Sequence, residues 1–418
     1  MGARLAADLV DVDLTSGRSF VDGVPHAAFD ALRAAGGIAW HTEPRPDPAF
    51  NQGDFLRFVP SPGFWAVTSH ELVSAVLRNQ ALFSSQLGGT TLPSLAPESL
   101  AMFRQMMLNM DPPEHVRLRR ILQPVFTPRA VERLHESVAL NAREIVADLE
   151  GVGECDLVTA ASAEMPLRVL ADLLGMPRSD RHLIFEWSNA LLGFDNPDVS
   201  SHVDEALGAF AELMAYGQQM ADARRASPQD DVVSRIVHAE VDGERLGDTE
   251  FSMFWLLLVV AGNETTRNAL SGAVIALQEH DRWGWLASHP EALPTAVEEL
   301  LRYVSPVMHF RRTATEDTVL GDQQVRAGDK VVVWYGAANR DPEVFADPHG
   351  LRFDRDPNPH VAFGVGPHFC LGAHLARLEL TEMLAHLLSR APALTLAAPP
   401  TRVASNFING VSHLPVHL

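Results

Sequence analysis

A mainly α fold, one large helix-rich domain carrying a small β-rich part, is what the residues of this chain predict. Three observations carry that expectation. Apolar residues recur at helical spacing from about residue 115 onward, while strand-like, β-branched runs are short and gather near the two ends. No Gly/Ser linker, low-complexity tract or repeat divides the chain. With 418 residues, 46% of them hydrophobic and 21% charged, it has ample material for a core. A single domain over 1–418 follows, with β-rich portions expected near 60–80, 310–335 and 393–418.

Taken in order, Phe64-Trp65-Ala66-Val67 reads as an early strand. Ser84 to Pro97 (SSQLGGTTLPSLAP), with two glycines, two prolines and little charge, reads as a mobile loop able to shape a pocket, or as a plain connector. Gly193 to Ser201 reads as a turn between two amphipathic helices. Val325 to Trp334 (VRAGDKVVVW) looks like a hairpin turning at Ala327-Gly328-Asp329, and the late pieces LTLAAPPTRVAS and VSHLPVHL like another small sheet.

Composition excludes several function classes. Acidic residues outnumber basic ones by 53 to 33, a formal charge of −20, which repels nucleic acid and anionic membrane surfaces. Two cysteines, Cys155 and Cys370, build neither a disulfide framework nor a multi-thiolate zinc site. The opening MGARLAADLVDVDLTSG places aspartates where a signal peptide needs apolar residues. The longest apolar run, Phe251 to Ala261, is far short of the ~20 residues that span a bilayer. A cytoplasmic protein is expected.

The strongest chemical signal is FGVGPHFCLG, Phe363 to Gly372. Gly364, Gly366 and Pro367 make a turn that lets the backbone approach something closely. Cys370 then opens a helical stretch, where the helix dipole and backbone N–H groups stabilise a thiolate. That suits an axial sulfur ligand to haem iron, because hydrogen bonds to sulfur tune the electron density reaching the metal. Four matched residues of Phe-x-x-Gly-x-x-x-Cys-x-Gly argue against an ordinary buried cysteine.

Three further groupings stand apart from it. Glu299 and Arg302 lie three residues apart on one face of a helical run, the usual arrangement of a surface ion pair. His115 and Arg119 share a helix face after Asp111-Pro112-Pro113, and two such donors suit a carboxylate. Ala261-Gly262-Asn263-Glu264-Thr265-Thr266 interrupts a long apolar helix with residues that are unfavourable there. The Thr265 hydroxyl is able to divert a backbone hydrogen bond and open the helix into a groove, and Glu264 to relay protons; back-bonding by Thr265 and a cation beside Glu264 are the plain alternatives.

Around these residues the chain resembles the cytochrome P450 family over nearly its whole length. The resemblance implies a soluble haem-thiolate monooxygenase of the bacterial kind, holding haem b with Cys370 as axial ligand. It assigns His115, Arg119, Arg312 and His368 to the haem propionates, with Arg311 as the alternative to Arg312. Phe363, Gly364, Gly372 and Ala261 line the ring. Glu299 and Arg302 form the structural ion pair beneath it, with a partner from Leu351 to Arg355, Arg355 being the candidate. Glu264 and Thr265 deliver protons during oxygen activation. Electrons from NAD(P)H arrive through ferredoxin reductase and ferredoxin, for which Arg117, Arg119 and Arg120 offer a basic face. Matching regions place Leu92, Leu95, Leu258, Ala261, Val307, His309 and Ile408 around the substrate, so a lipophilic molecule is expected.

The text VVAGNETTRNA, MLNMDPPEH, FTPRAVERL, NPNPHVAFG and SNFINGVSHLPV is most similar to enzymes that hydroxylate steroids or branched terpenoids. Natural-product intermediates, and amino acids bound to a carrier protein, remain the alternative substrates. A non-catalytic haem protein would have no use for Glu264 and Thr265, and the resemblance implies that peroxygenase relatives lack this acid-threonine pair. A monomer is expected.

Overall fold

The computed structural model describes residues 5–44, 57–192, 203–240 and 242–418, and the turn expected at 193–201 lies outside them. Two compact units emerge, each assembled from three stretches of chain: Met1–Asp111, Glu298–Cys370 and Arg402–Gly410 form one, and Pro112–Val297, Leu371–Thr401 and Val411–Leu418 the other.

The first unit is organised on a five-stranded sheet ordered Ile38–Thr42, Gly63–Val67, Lys330–Trp334, His309–Ala314, Phe83–Ser84. Its one parallel pairing joins Gly63–Val67 to Lys330–Trp334, and the others are antiparallel. The central strands GFWAV and KVVVW are buried at every position, as expected of strands covered on both faces. One face packs Trp65, Val67, Val331 and Val333 with Val73, Val76 and Leu77; the other packs Phe64, Ala66, Val332 and Trp334 with Phe20, Phe29 and Leu32.

Three local expectations for this unit are corrected. Residues 60–80 are not all strand: His70–Arg78 is a helix capped by the Ser69 hydroxyl, which accepts from the Leu72 N–H, with its buried apolar residues at 73, 76 and 77. The turn Ala327-Gly328-Asp329 does not close a hairpin. Gln323–Val325 before it pairs with Thr318–Leu320, whereas Lys330–Trp334 after it pairs with His309–Ala314. The Asp329 carboxylate holds that turn by accepting from the Arg326 N–H (2.8 Å) and the Trp65 indole N–H (2.9 Å).

The stretch from Ser84 to Pro97 is pinned rather than loose. Asp111 accepts from the Ser84 hydroxyl and from the Ser85 N–H (2.9 Å), Asn109 accepts from the Thr90 N–H (2.9 Å) and hydroxyl (2.8 Å), and Arg104 donates to the Gln86 and Leu87 carbonyls. Gly88 lets the Arg311 side chain lie close against this stretch, since a Cβ there would stand 2.1 Å from an Arg311 nitrogen and the guanidinium would have to shift.

The second unit is helical. Its axis is the 32-residue helix Asp248–Glu279, packed by Glu164–Leu174, Arg181–Leu192, Val203–Ala226 and Ala373–Arg390. Ala373–Arg390 packs in turn on His135–Ala147. The late pieces do form a sheet, with an unforeseen third member: Thr395–Leu396 pairs with Pro415–His417, which pairs with Glu154–Asp156 and so seats Cys155 opposite Val416. Among the described residues, no helix is long and apolar enough to cross a membrane.

Candidate functional site

In the first unit, the residues Phe363 to Cys370 fold back on themselves. The Cys370 N–H donates to the Phe363 carbonyl (2.9 Å), the Phe369 N–H to Gly366 (3.0 Å) and the Gly364 N–H to Val361 (2.9 Å). Gly364 and Gly366 have φ of 69° and 78°, and a Cβ on Gly366 would stand 2.6 Å from the Leu77 carbonyl oxygen. The turn therefore needs both glycines, and it leaves the Cys370 side chain exposed. Cys370 does not itself open a helix, since the first helical residue is Ala373 with Gly372 as its cap. Phe363 meets Phe369 edge to face at 6.3 Å.

His368 is held at Nε2, 3.1 Å from the Gln80 amide nitrogen and 3.2 Å from the Ser85 hydroxyl. Ser85 is itself fixed by Asp111, so the residues that orient this imidazole are scattered through sequence. Strand alternation turns Arg311 and Arg312 to opposite faces. Arg312 is 2% exposed, donates to the Arg311 carbonyl (2.7 Å) and forms no ion pair among the described residues. Burial lowers its pKa, against the pull of Tyr335 and Asp111. Arg311 is also pushed down by burial, to about 10, and reaches Ser94 at 3.3 Å.

Glu299 and Arg302, in the same unit, are wholly buried and make a two-pronged pair at 2.7 and 2.8 Å. Arg355 adds a third bond to Glu299 (3.0 Å), with the Arg352 N–H (2.9 Å) and the Asn358 amide (3.2 Å). Burial pushes the Glu299 carboxyl up, but the Arg302 bonds and charge and the other donors outweigh it and hold it below the usual range. The spare Arg302 protons go to the carbonyls of Asn339, Pro348 and Gly350, tying the helix to the stretch some 37 to 48 residues further on.

Two residues expected around a substrate turn into the core instead. Leu92 packs with Trp334, Phe29 and Met308. His309 is 1% exposed, wedged against Trp334 (4.7 Å) and Phe407 (5.5 Å), and burial pushes its pKa down to about 3. Its face of the strand looks into packed aromatic side chains. Leu95 is buried opposite Phe58, while Val307 and Ile408 face each other across a single antiparallel bridge and stay half-buried.

In the second unit, Asp248–Glu279 runs as continuous α-helix, with no groove opened at Thr265. The Thr265 hydroxyl donates to the Ala261 carbonyl (2.8 Å), and Ala261 and Gly262 are exposed. Glu264 is buried, with Arg267 and Asn268 on its Oε1. Leu258 lies half-buried six residues before Glu264 on the same helix. His115 and Arg119 share a face of Glu114–Leu122, His115 buried and Arg119 partly so.

The basic face beside them is largely neutralised. Arg117 pairs with Glu250 and with Glu244 (3.6 Å), and Arg120 with Asp242 (3.6 Å). Cys155, half-buried on its strand, has its thiol pushed up by burial and then by Asp156 and Glu154, the opposite of a ligand thiolate.

The "Cytochrome P450" family model matches residues 289–395. A steroid C26-monooxygenase of Mycobacterium tuberculosis is 39% identical over 412 residues, 97% of this chain and 92% of that one. The chain belongs to the cytochrome P450 family. A methyl-branched lipid omega-hydroxylase of the same species is 40% identical over 404 residues, 94% of this P450 and 91% of that protein. The solved structure of a Mycobacterium marinum cytochrome P450 in complex with pseudoionone superposes with a TM-score of 0.88 at 37% identity, covering 98% of this chain and 99% of that one.

This P450 is a monooxygenase, and membership carries a haem-thiolate cofactor and external electron donors. The residues present fit such a group: an exposed cysteine on a glycine-shaped turn, and in the same unit a buried guanidinium, Arg312, with no carboxylate paired to it among the described residues.

Proposed function

We propose that this P450 hydroxylates the terminal carbon of a methyl-branched chain on a hydrophobic molecule, a steroid side chain or a branched lipid of terpenoid type. The observation that carries this reading is near-full-length likeness to two enzymes whose names specify that position, one on a steroid and one on a methyl-branched lipid. Val307 and Ile408, apolar, half-buried and bridged to each other, suit such a chain, which is recognised by shape.

Cys370 would supply the thiolate to haem b, His115, Arg119, Arg312 and His368 would hold its propionates, and Phe363, Gly364, Gly372 and Ala261 would line the ring. When bound, the haem supplies dioxygen activation: two electrons and two protons let one oxygen atom enter a C–H bond while the other leaves as water. Glu264 takes protons from solvent, and the Thr265 hydroxyl passes them on by turning away from the Ala261 carbonyl. The electrons come from NAD(P)H through ferredoxin reductase and a ferredoxin, to a monomeric, cytoplasmic enzyme.

Spectral titration tests the substrate. Steroids with an intact branched side chain, and branched fatty acids, should displace the Soret band and give terminally hydroxylated product. Steroids lacking the side chain should do neither. A response to aminoacyl carrier proteins alone would overturn the proposal.

A further inference from the structure

The carboxylate of Glu264 is held by an arrangement that the Glu-Thr text does not disclose. Asn268, one turn further along Asp248–Glu279, is wholly buried and makes three hydrogen bonds. Its Nδ2 donates to the Glu264 backbone carbonyl (2.9 Å) and to Glu264 Oε1 (2.8 Å), and its Oδ1 accepts from the Val411 N–H (2.9 Å).

The orientation of that amide has only one solution. The Val411 N–H can only donate and so must face Oδ1, whereas both Glu264 oxygens accept and must face Nδ2. Arg267 donates to the same Oε1. Glu264 Oε2, buried beside it, has no hydrogen-bond partner among the described residues. One carboxylate oxygen is thus doubly anchored, and the other is the one at which a proton can be taken up and released.

We infer that Asn268 is a positioning residue for proton delivery: it fixes Oε1 of Glu264 against strand Val411–His413 and so presents Oε2 as the proton-carrying oxygen. The inference rests on the proposed role of Glu264 as the proton relay. It predicts an effect of Asn268 that passes through Glu264 and vanishes when Glu264 cannot ionise. An asparagine that merely ties a helix to a strand predicts an effect independent of residue 264.

Asn268→Asp separates the two. It keeps size and an acceptor for Val411, loses both donors to Glu264 and sets a negative oxygen against Oε1. In the holoenzyme, the reduced carbon-monoxide band and the substrate-induced Soret shift should be unchanged. Amide exchange at Val411 should stay within about twofold of wild type, since the acceptor remains. Product formed per NAD(P)H should fall at least fivefold.

Made in the Glu264→Gln background, the same change should cost nothing further. Equal losses in both backgrounds, or no loss in the wild-type background, would overturn the inference. Full coupling in Glu264→Gln alone would instead bring down the proton-relay reading on which it rests. Should Asn268→Asp not fold, Asn268→Ser also removes the amide, and its coupling is compared across the same two backgrounds with the same outcomes decisive.

Discussion

At the scale of single residues, the turn around Cys370 and the polar interruption of the long helix carry the chemistry, and each is separable by a point change. Cys370→Ser should abolish the red-shifted thiolate band of the reduced, carbon-monoxide-bound protein. Cys155→Ser, altering a thiol that its strand and two acidic neighbours keep protonated, should leave that spectrum intact. A histidine-type band in the unaltered protein would refute the Cys370 assignment. Thr265→Ala removes a hydroxyl that, among the described residues, bonds only within its own helix, so folding and substrate binding should persist while product per NAD(P)H drops by roughly an order of magnitude, with oxygen diverted to peroxide. Full coupling in that variant would sink the assignment to Thr265. The motifs themselves were legible because each breaks a local pattern: glycines and a proline clustered at fixed spacing before a cysteine, and a glycine, a carboxylate and threonines inside an apolar helix.

At the scale of elements, the same residues depend on partners far away in sequence. Gly366→Ala would press a Cβ against the Leu77 carbonyl at a φ that favours glycine. About 2–3 kcal/mol of destabilisation is expected from backbone strain of this kind, and the fraction of protein purifying with haem should fall. Wild-type haem content and melting temperature in the variant would contradict the packing. Arg117, expected on a donor-docking face, instead ties Glu114–Leu122 to Glu250 at the start of the long helix. Arg117→Ala should therefore lower stability by up to about 1 kcal/mol, the range of partly exposed ion pairs, and leave the donor's apparent Michaelis constant within twofold. A large rise in that constant without loss of stability would restore the docking role.

At the scale of the whole molecule, two buried titratable groups give the fold a pH window. Burial pushes the Glu379 carboxyl up to about 8, against 4.5 for an ordinary glutamate. The folded chain thus holds a proton that the unfolded chain has lost, and this contribution, full below pH 4.5, disappears as pH rises to 8. His309 acts the other way. With its pKa at about 3 against 6.5, it stays neutral in the fold while the unfolded chain takes up a proton, so its contribution is lost as pH falls from 6.5 toward 3. The melting temperature of Glu379→Gln relative to wild type should rise by about 3 °C between pH 5 and pH 8, the scale set by a few kcal/mol in a protein of this size. A pH-independent difference would show that Glu379 is not held neutral.

Much of this was present in the residues alone. Spacing disclosed the glycine turn before Cys370, the Glu299–Arg302 pair, the helix face of His115 and Arg119, and the predominance of helix, because each depends on neighbours within a turn or two of chain. What lay beyond was decided by tertiary packing. Periodicity cannot say that Leu92 and His309 look into the aromatic core around Trp334, since both faces of that sheet are covered. Nor can it say that Gln80 and Ser85 hold His368, that acidic residues neutralise Arg117 and Arg120, or that Asn268 fastens Glu264 to Val411. Those contacts join residues tens to hundreds of positions apart, or hinge on which face an element buries. They exist only once the chain has closed on itself, because a hydrogen bond or ion pair acts over a few ångströms of space regardless of distance along the chain.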